Sequence, residues 1–220
     1  LGIEAYCWLH LGNVSYYLGR QEEAYSRYEK SLEVLQRHEG TTRIALLSNN
    51  LGHLDVQNGE LAQAEARFKA ALAGFQKLGD RSNIALANAS LGYLYKQQEN
   101  FESAVQHYRR ARELMKDSPH FARQGRLNLE LGAILLAQGE VDEANEALLA
   151  GENLLRNSKN LAELAFGLTL RGEIALDQGN RIQTDAYLTE AESLVLSLGL
   201  KEQAPISRGV VALRERLDGD

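Results

Sequence analysis

Cys7 and His10 stand three residues apart. On a helix that spacing brings a thiol and an imidazole to one face, as half of a metal site or as a thiol–imidazole couple. The rest of such a site is missing. There is one Cys in the chain, and His38, His107 and His120 have no neighbour at ligand spacing, whereas a structural zinc needs four ligands. Cys7 also falls on the helix face predicted below to be core, where a Cys acts as a small hydrophobe. Glu22-Glu23 and Asp142-Glu143 are adjacent in sequence, so their carboxylates diverge instead of facing one point. They read as helix-start charges that complement the helix dipole. No catalytic residue, metal site or cofactor is expected. The remaining chemistry is recognition by amides, imidazoles and phenols, and what positions those groups is a repeat.

Leu-Gly occurs at Leu11-Gly12, Leu51-Gly52, Leu91-Gly92 and Leu131-Gly132, followed by Arg171-Gly172, in steps of 40 residues. A second Gly follows seven residues later at Gly19, Gly59, Gly139 and Gly179, with Glu99 as the exception. Ala24, Ala64, Ala104 and Ala144 recur, then Thr184; after them come Tyr28, Phe68, Tyr108, Leu148 and Leu188, and then Ser31, Ala71, Ala111, Gly151 and Ala191. A fixed period of this length signals a solenoid or array. Each unit reads as two helices, the first over about 1–18, 41–58, 81–98, 121–138 and 161–178, the second over about 21–37, 61–77, 101–116, 141–157 and 181–197. Counting from the first Gly, positions -5, -1 and +2 form the apolar face of the first helix, as in Ala87, Leu91 and Leu94. The second Gly ends that helix in a left-handed cap. Gly12, Gly52 and Gly92, in mid-helix, are predicted to admit Tyr28, Phe68 and Tyr108 of the second helices. Arg171 and Thr184 break the pattern and predict a loosened fifth repeat. Residues 203–217 read as one more helix, either a cap or the first helix of a sixth repeat. The expected organisation is an array over 1–200 (repeats 1–40, 41–80, 81–120, 121–160 and 161–200), then 201–220.

Composition limits the partners. Hydrophobic residues are 44% and charged residues 25% of the chain, the balance of a soluble globular protein. No apolar run reaches the ~18 residues that would span a membrane, and no signal peptide is visible. A single Cys suits a reducing, cytoplasmic compartment. The chain starts on Leu1 inside a helical pattern, which predicts a segment of a longer protein. Residues 1–110 carry 12 basic and 12 acidic residues, and 111–220 carry 12 and 18, so the formal charge of -6 lies in the second half. An acidic chain without basic clusters disfavours nucleic acid.

The register resembles the tetratricopeptide repeat family, most fully in Trp8, Leu11-Gly12, Ala24, Tyr28 and Ser31. The 40-residue period exceeds the family's usual length, and its closing Pro is absent: Gln36, Gln76, Lys116, Arg156 and Leu196 stand there. This long form resembles repeats of LuxR-type ATP-dependent activators, quorum-sensing peptide receptors, kinesin light chains and spindle-orientation adaptors. The resemblance implies an all-α, right-handed α-solenoid of five two-helix repeats plus a C-terminal helix, with the first helices lining a groove. Positions -6, -3, -2, +1 and +5 should then face the groove. They hold Tyr6, Leu9, His10, Asn13 and Tyr17; Leu46, Asn49, Asn50, His53 and Gln57; Leu86, Ala89, Ser90, Tyr93 and Gln97; Arg126, Leu129, Glu130 and Ala133; and Phe166, Thr169, Leu170 and Glu173. Asn both donates and accepts, which suits an extended peptide backbone, and Tyr joins apolar area to a polar tip. Some of the family clamp a C-terminal carboxylate with Lys, Asn and Arg, but the matching positions Leu9, Asn13, Asn50, Leu86 and Ser90 lack the cations. The expected function is protein or peptide binding, as the regulatory or sensory part of a larger signalling protein. Two alternatives stay open: small-molecule sensing, marked by an enclosed apolar cavity lined by Tyr6, Tyr17 and His53, and self-association of neutral and acidic halves into a homo-oligomer.

Overall fold

The computed structural model describes residues 2–17, 20–36, 41–200 and 205–219. Among these there are eleven helices and no strand. They are α1 (Gly2–Tyr17), α2 (Gln21–Gln36), α3 (Thr41–Gln57), α4 (Leu61–Leu78), α5 (Arg81–Gln97), α6 (Phe101–Met115), α7 (Phe121–Ala137), α8 (Val141–Ser158), α9 (Leu161–Asp177), α10 (Arg181–Ser197) and α11 (Pro205–Gly219). The chain is an all-α repeat array of the solenoid kind, with helix ends within about two residues of those expected from the sequence.

Local chemistry sets those ends. Asp80, Asn100, Asn160 and Asn180 precede α5, α6, α9 and α10, and each accepts a hydrogen bond from the backbone N–H three residues on, which satisfies a donor the helix start leaves open. Between first and second helices, Gly59, Gly139 and Gly179 take φ of +80°, +81° and +74°, the left-handed cap where Gly has no Cβ penalty. Glu99 holds the same place at +57°, so the turn persists in repeat three without its Gly. Gly19 lies outside the described residues.

The chain forms two compact units, Leu1–Met115 and Lys116–Asp220. In the first, α1 pairs with α2, α3 with α4 and α5 with α6, while α3 also packs on α2 and α5 on α4. In the second, α7 pairs with α8 and α9 with α10, α9 packs on α8, and α11 lies against both α9 and α10.

The mid-helix glycines are contact points. A Cβ on Gly12 would strike the Tyr28 ring, one on Gly52 would lie 2.7 Å from Phe68, one on Gly92 2.7 Å from Tyr108 and one on Gly132 2.6 Å from Leu148. The predicted pairing therefore holds for Tyr28, Phe68 and Tyr108, and Leu148 fills the same place in repeat four. In the fifth, the space beside Gly172 is filled by Leu213 of α11 at 2.7 Å, so the last helix supplies the contact there. Gly92→Leu is predicted to lower unfolding free energy by about 1–3 kcal/mol, because Tyr108 is itself buried and cannot retreat. Urea unfolding checks this; a variant as stable as the parent contradicts the register.

Two expectations need correction. Cys7, Leu11 and Val14, assigned to the core by the -5, -1 and +2 rule, are exposed, whereas Leu47, Leu51 and Leu54 at the same places in α3 are fully buried. That face is covered in α3 by α2, and among the described residues no helix covers it in α1. Nor is the fifth repeat loosened. Arg171 Nη1 lies 2.5 Å from Glu152 Oε2, and its guanidinium sits 4.6 Å from the Tyr187 ring centre. Thr184 is buried and donates to the Asn180 carbonyl at 3.0 Å.

Candidate peptide-binding face

The groove positions divide by depth. In the first unit Tyr6, His10, Gln57 and Gln97 are exposed, and Asn13, Asn50, His53 and Tyr93 are half-buried. Asn49 and Ser90 are each only 2% exposed. At position -3, Asn49, Leu129 and Thr169 are buried while Leu9 and Ala89 are half-buried, and the Leu129 side chain lies 3.0 and 2.8 Å from where a Cβ on Gly151 or Gly167 would stand. Asn49 is thus a core residue, its Oδ1 buried without a hydrogen-bond partner. The side chain of Tyr17 lies outside the described residues, as does His38.

Positions +1 and -2 of neighbouring first helices meet side by side. Asn50 Nδ2 donates to Asn13 Oδ1 at 3.3 Å, and Tyr28 from α2 donates its hydroxyl to the same oxygen at 2.7 Å. His53 Nε2 shares a 3.0 Å hydrogen bond with Ser90 Oγ. Gln57 Nε2 donates to the Tyr16 hydroxyl at 3.1 Å and Gln21 donates to Gln57. The Tyr6 and His10 rings are in contact, tilted by 55° with centres 4.1 Å apart. Sequence spacing named these residues but not the ladder, because pairing depends on how adjacent helices are offset. With its carbonyl occupied twice, Asn13 presents its NH2, and Asn50 beside it retains its own carbonyl. A donor next to an acceptor matches one peptide unit.

The corresponding face of the second unit is charged. Arg126 lies 3.7 Å from Glu163. Burial pushes the Glu163 carboxyl above its ordinary range, with Arg126 opposing and Glu130 adding to the rise. Glu173 is likewise raised by burial, against the pull of Arg216 and with Asp177 adding.

A second polar layer joins positions +3 and +15 and was not foreseen. Arg27 donates to Ser15 Oγ. Arg67 Nε lies 2.8 Å from Asp55 Oδ2, Gln63 donates to Asp55 Oδ1 at 3.1 Å, and Arg67 also reaches the Tyr25 hydroxyl at 2.9 Å. Burial raises the Asp55 carboxyl despite Arg67 and Gln63. In repeat three, His107 stacks on Tyr95 at 5.3 Å and its Nδ1–H donates to Asn88 Oδ1 at 3.1 Å. Burial, and then the Lys69 charge, lower the His107 pKa from its ordinary 6.5. A group held neutral by folding supports stability above its unfolded pKa and loses that support as pH falls through the folded one. Lowering pH from 7.5 through 6.5 should therefore reduce the urea midpoint more in the parent than in His107→Gln. Parallel pH profiles contradict this.

An open cleft of about 1070 Å3 is lined by α2 residues including Glu22, Tyr25, Glu29 and Glu33, with Asn58 and Glu60 from the α3–α4 turn. Among the described residues no group of three or more His, Cys, Asp and Glu could hold a metal ion. No described helix is long and apolar enough to cross a membrane.

Comparison with solved structures gives several likenesses of fold. BtubC from P. vanneervenii is 20% identical, with a TM-score of 0.73 over 89% of this chain and 81% of that one. A Rap protein complexed with competence and sporulation factor is 13% identical, with a TM-score of 0.75 over 99% of this chain and 66% of that one. A signal-transduction ATPase with numerous domains and a tetratricopeptide repeat sensor, from Pyrococcus horikoshii, is 12% identical, with a TM-score of 0.79 over 96% of this chain. This chain covers 31% of that protein, so it spans less than a third of its length. No curated protein sequence matches. The profile of the MalT-like TPR region matches residues 10–219, across the register that places Gly12, Gly52, Gly92 and Gly132 against their second-helix partners. The chain belongs to the MalT-like TPR region family.

Proposed function

We propose that the face built by α1, α3 and α5 holds an extended peptide or protein segment, and that the chain is the recognition part of a regulatory protein. The observation that carries this is the Asn13–Asn50 pair, hydrogen-bonded to each other and half-buried on the groove side. Tyr6 and His10 on the same helix form an exposed, tilted ring pair, an interface-type surface with apolar area and polar tips. Similarity to a Rap protein complexed with competence and sporulation factor, and to a tetratricopeptide repeat sensor, supports the same reading. The cleft beside α2 is open, lined largely by polar side chains and has neither Tyr6 nor His53 in its lining.

The test selects heptapeptides from a phage-displayed library on the 220-residue chain, then measures the tightest by titration calorimetry. Asn13→Ala/Asn50→Ala should weaken binding about tenfold, the loss of one or two hydrogen bonds. Asn49→Ala, in the core, should bind as the parent does. Equal affinity for parent and double variant, or loss with Asn49→Ala alone, sinks the assignment.

A further inference from the structure

The geometry points to the second-helix aromatics Tyr28 and Phe68 as positioning residues for the groove: each passes through the gap left by a mid-helix Gly and sets what the +1 residue offers a ligand. This rests on the peptide-binding reading above and says how that site is tuned.

Tyr28 belongs to α2 and is only 2% exposed. Its ring lies against Gly12, at the place a Cβ would occupy. Any larger residue at 12 would block the ring's path. Through that opening the hydroxyl reaches Asn13 Oδ1 at 2.7 Å, on the groove side of α1. An amide can turn either end outward, because both ends hydrogen-bond. The Tyr28 hydroxyl and Asn50 Nδ2 both claim the Asn13 carbonyl, so the NH2 is the end left to face a ligand.

Repeat two shows the same route with a different result. Phe68 is fully buried against Gly52, and its ring meets His53, again the +1 residue, edge-on at 5.0 Å and 66°. Phe has no hydroxyl to hold a polar partner. The imidazole bonds laterally to Ser90 instead. Tyr in the core thus fixes which end of the +1 side chain is left outward, whereas Phe leaves the +1 side chain to its lateral partner. A core position becomes a determinant of specificity without touching the ligand.

Tyr28→Phe tests this, since it keeps the ring that fills the Gly12 gap and removes only the hydroxyl. Circular dichroism confirms equal helicity. In the ligand-free chain, the Asn13 side-chain amide signals should shift and broaden, while those of Asn88 stay fixed. With the phage-selected heptapeptide as probe, Tyr28→Phe should raise Kd about fivefold, and adding it to Asn13→Ala should change nothing further, because the hydroxyl acts through that amide. Phe75→Leu, a buried change on α4, should lower stability and leave Kd alone, so a general loss of packing is distinguishable. Unchanged Asn13 signals in Tyr28→Phe, or losses that add in the double variant, overturn the positioning role. If Asn13→Ala itself leaves Kd unchanged while the Asn13 signals respond to Tyr28→Phe, the hydroxyl orients the amide but the peptide reading fails.

Discussion

Leu91→Ala is expected to lower the unfolding free energy by about 2–5 kcal/mol, through lost apolar transfer and the cavity left behind. Leu91 is 1% exposed and lies in a cluster with Val56, Phe68 and Leu94. Collapse around the gap is limited, because helices on two sides are held apart by other contacts: α5 packs on α6 within its hairpin and on α4 before it. The same substitution at Leu11 is expected to cost far less, since Leu11 is 44% exposed. Urea unfolding of both variants measures the contrast. Equal losses at the two sites would mean that the face of α1 is covered after all.

Glu152→Ala should cost about 3 kcal/mol, for a different reason. The Glu152 and Arg171 side chains are 9% and 12% exposed, and removing one partner leaves the other charge buried and unpaired. Arg156, which also bonds Glu152, keeps Glu190 at 2.5 Å and is itself 40% exposed, so little of the loss comes from it. Replacing both charges, as Arg171→Leu/Glu152→Leu, returns the Leu found at this place in four other repeats and is expected to recover most of the stability. Thermal and urea unfolding of the single and double variants decide this. A double variant as unstable as the single one contradicts the account of Arg171 as a compensated substitution.

Fold and site differed in how far residue types alone could take them. The 40-residue register carried the helices, the left-handed turns and the Gly–aromatic contacts, because each follows from residues close in sequence or one hairpin apart. Arg171 looked like damage to the core, since a Leu position filled by Arg breaks the pattern. Its compensation came from Glu152 on the previous hairpin, at a place the repeat register left unassigned. Cys7, Leu11 and Val14 read as core because a periodic face says what could be covered and not whether a neighbour covers it. Spacing picked out side chains that are exposed or half-buried at -6 and +1, such as Tyr6, Asn13, His53 and Tyr93, but at -2 it included Ser90, which is buried. At -3 it included Asn49, which is buried, although Leu9 and Ala89 at the same place are half-buried. The ladder joining Asn13 to Asn50 and His53 to Ser90 depends on the offset between adjacent helices, which residue spacing within one helix does not encode.

The most direct test of peptide recognition by α1, α3 and α5 follows the side-chain amide signals of Asn13, Asn49, Asn50, Gln21 and Asn58 during titration with the phage-selected heptapeptide. Asn13 and Asn50 are predicted to shift and saturate together, with Asn49 unmoved in the core. Shifts at Gln21 and Asn58, which line the cleft beside α2, with Asn13 and Asn50 silent, would place recognition on that other surface and contradict the account.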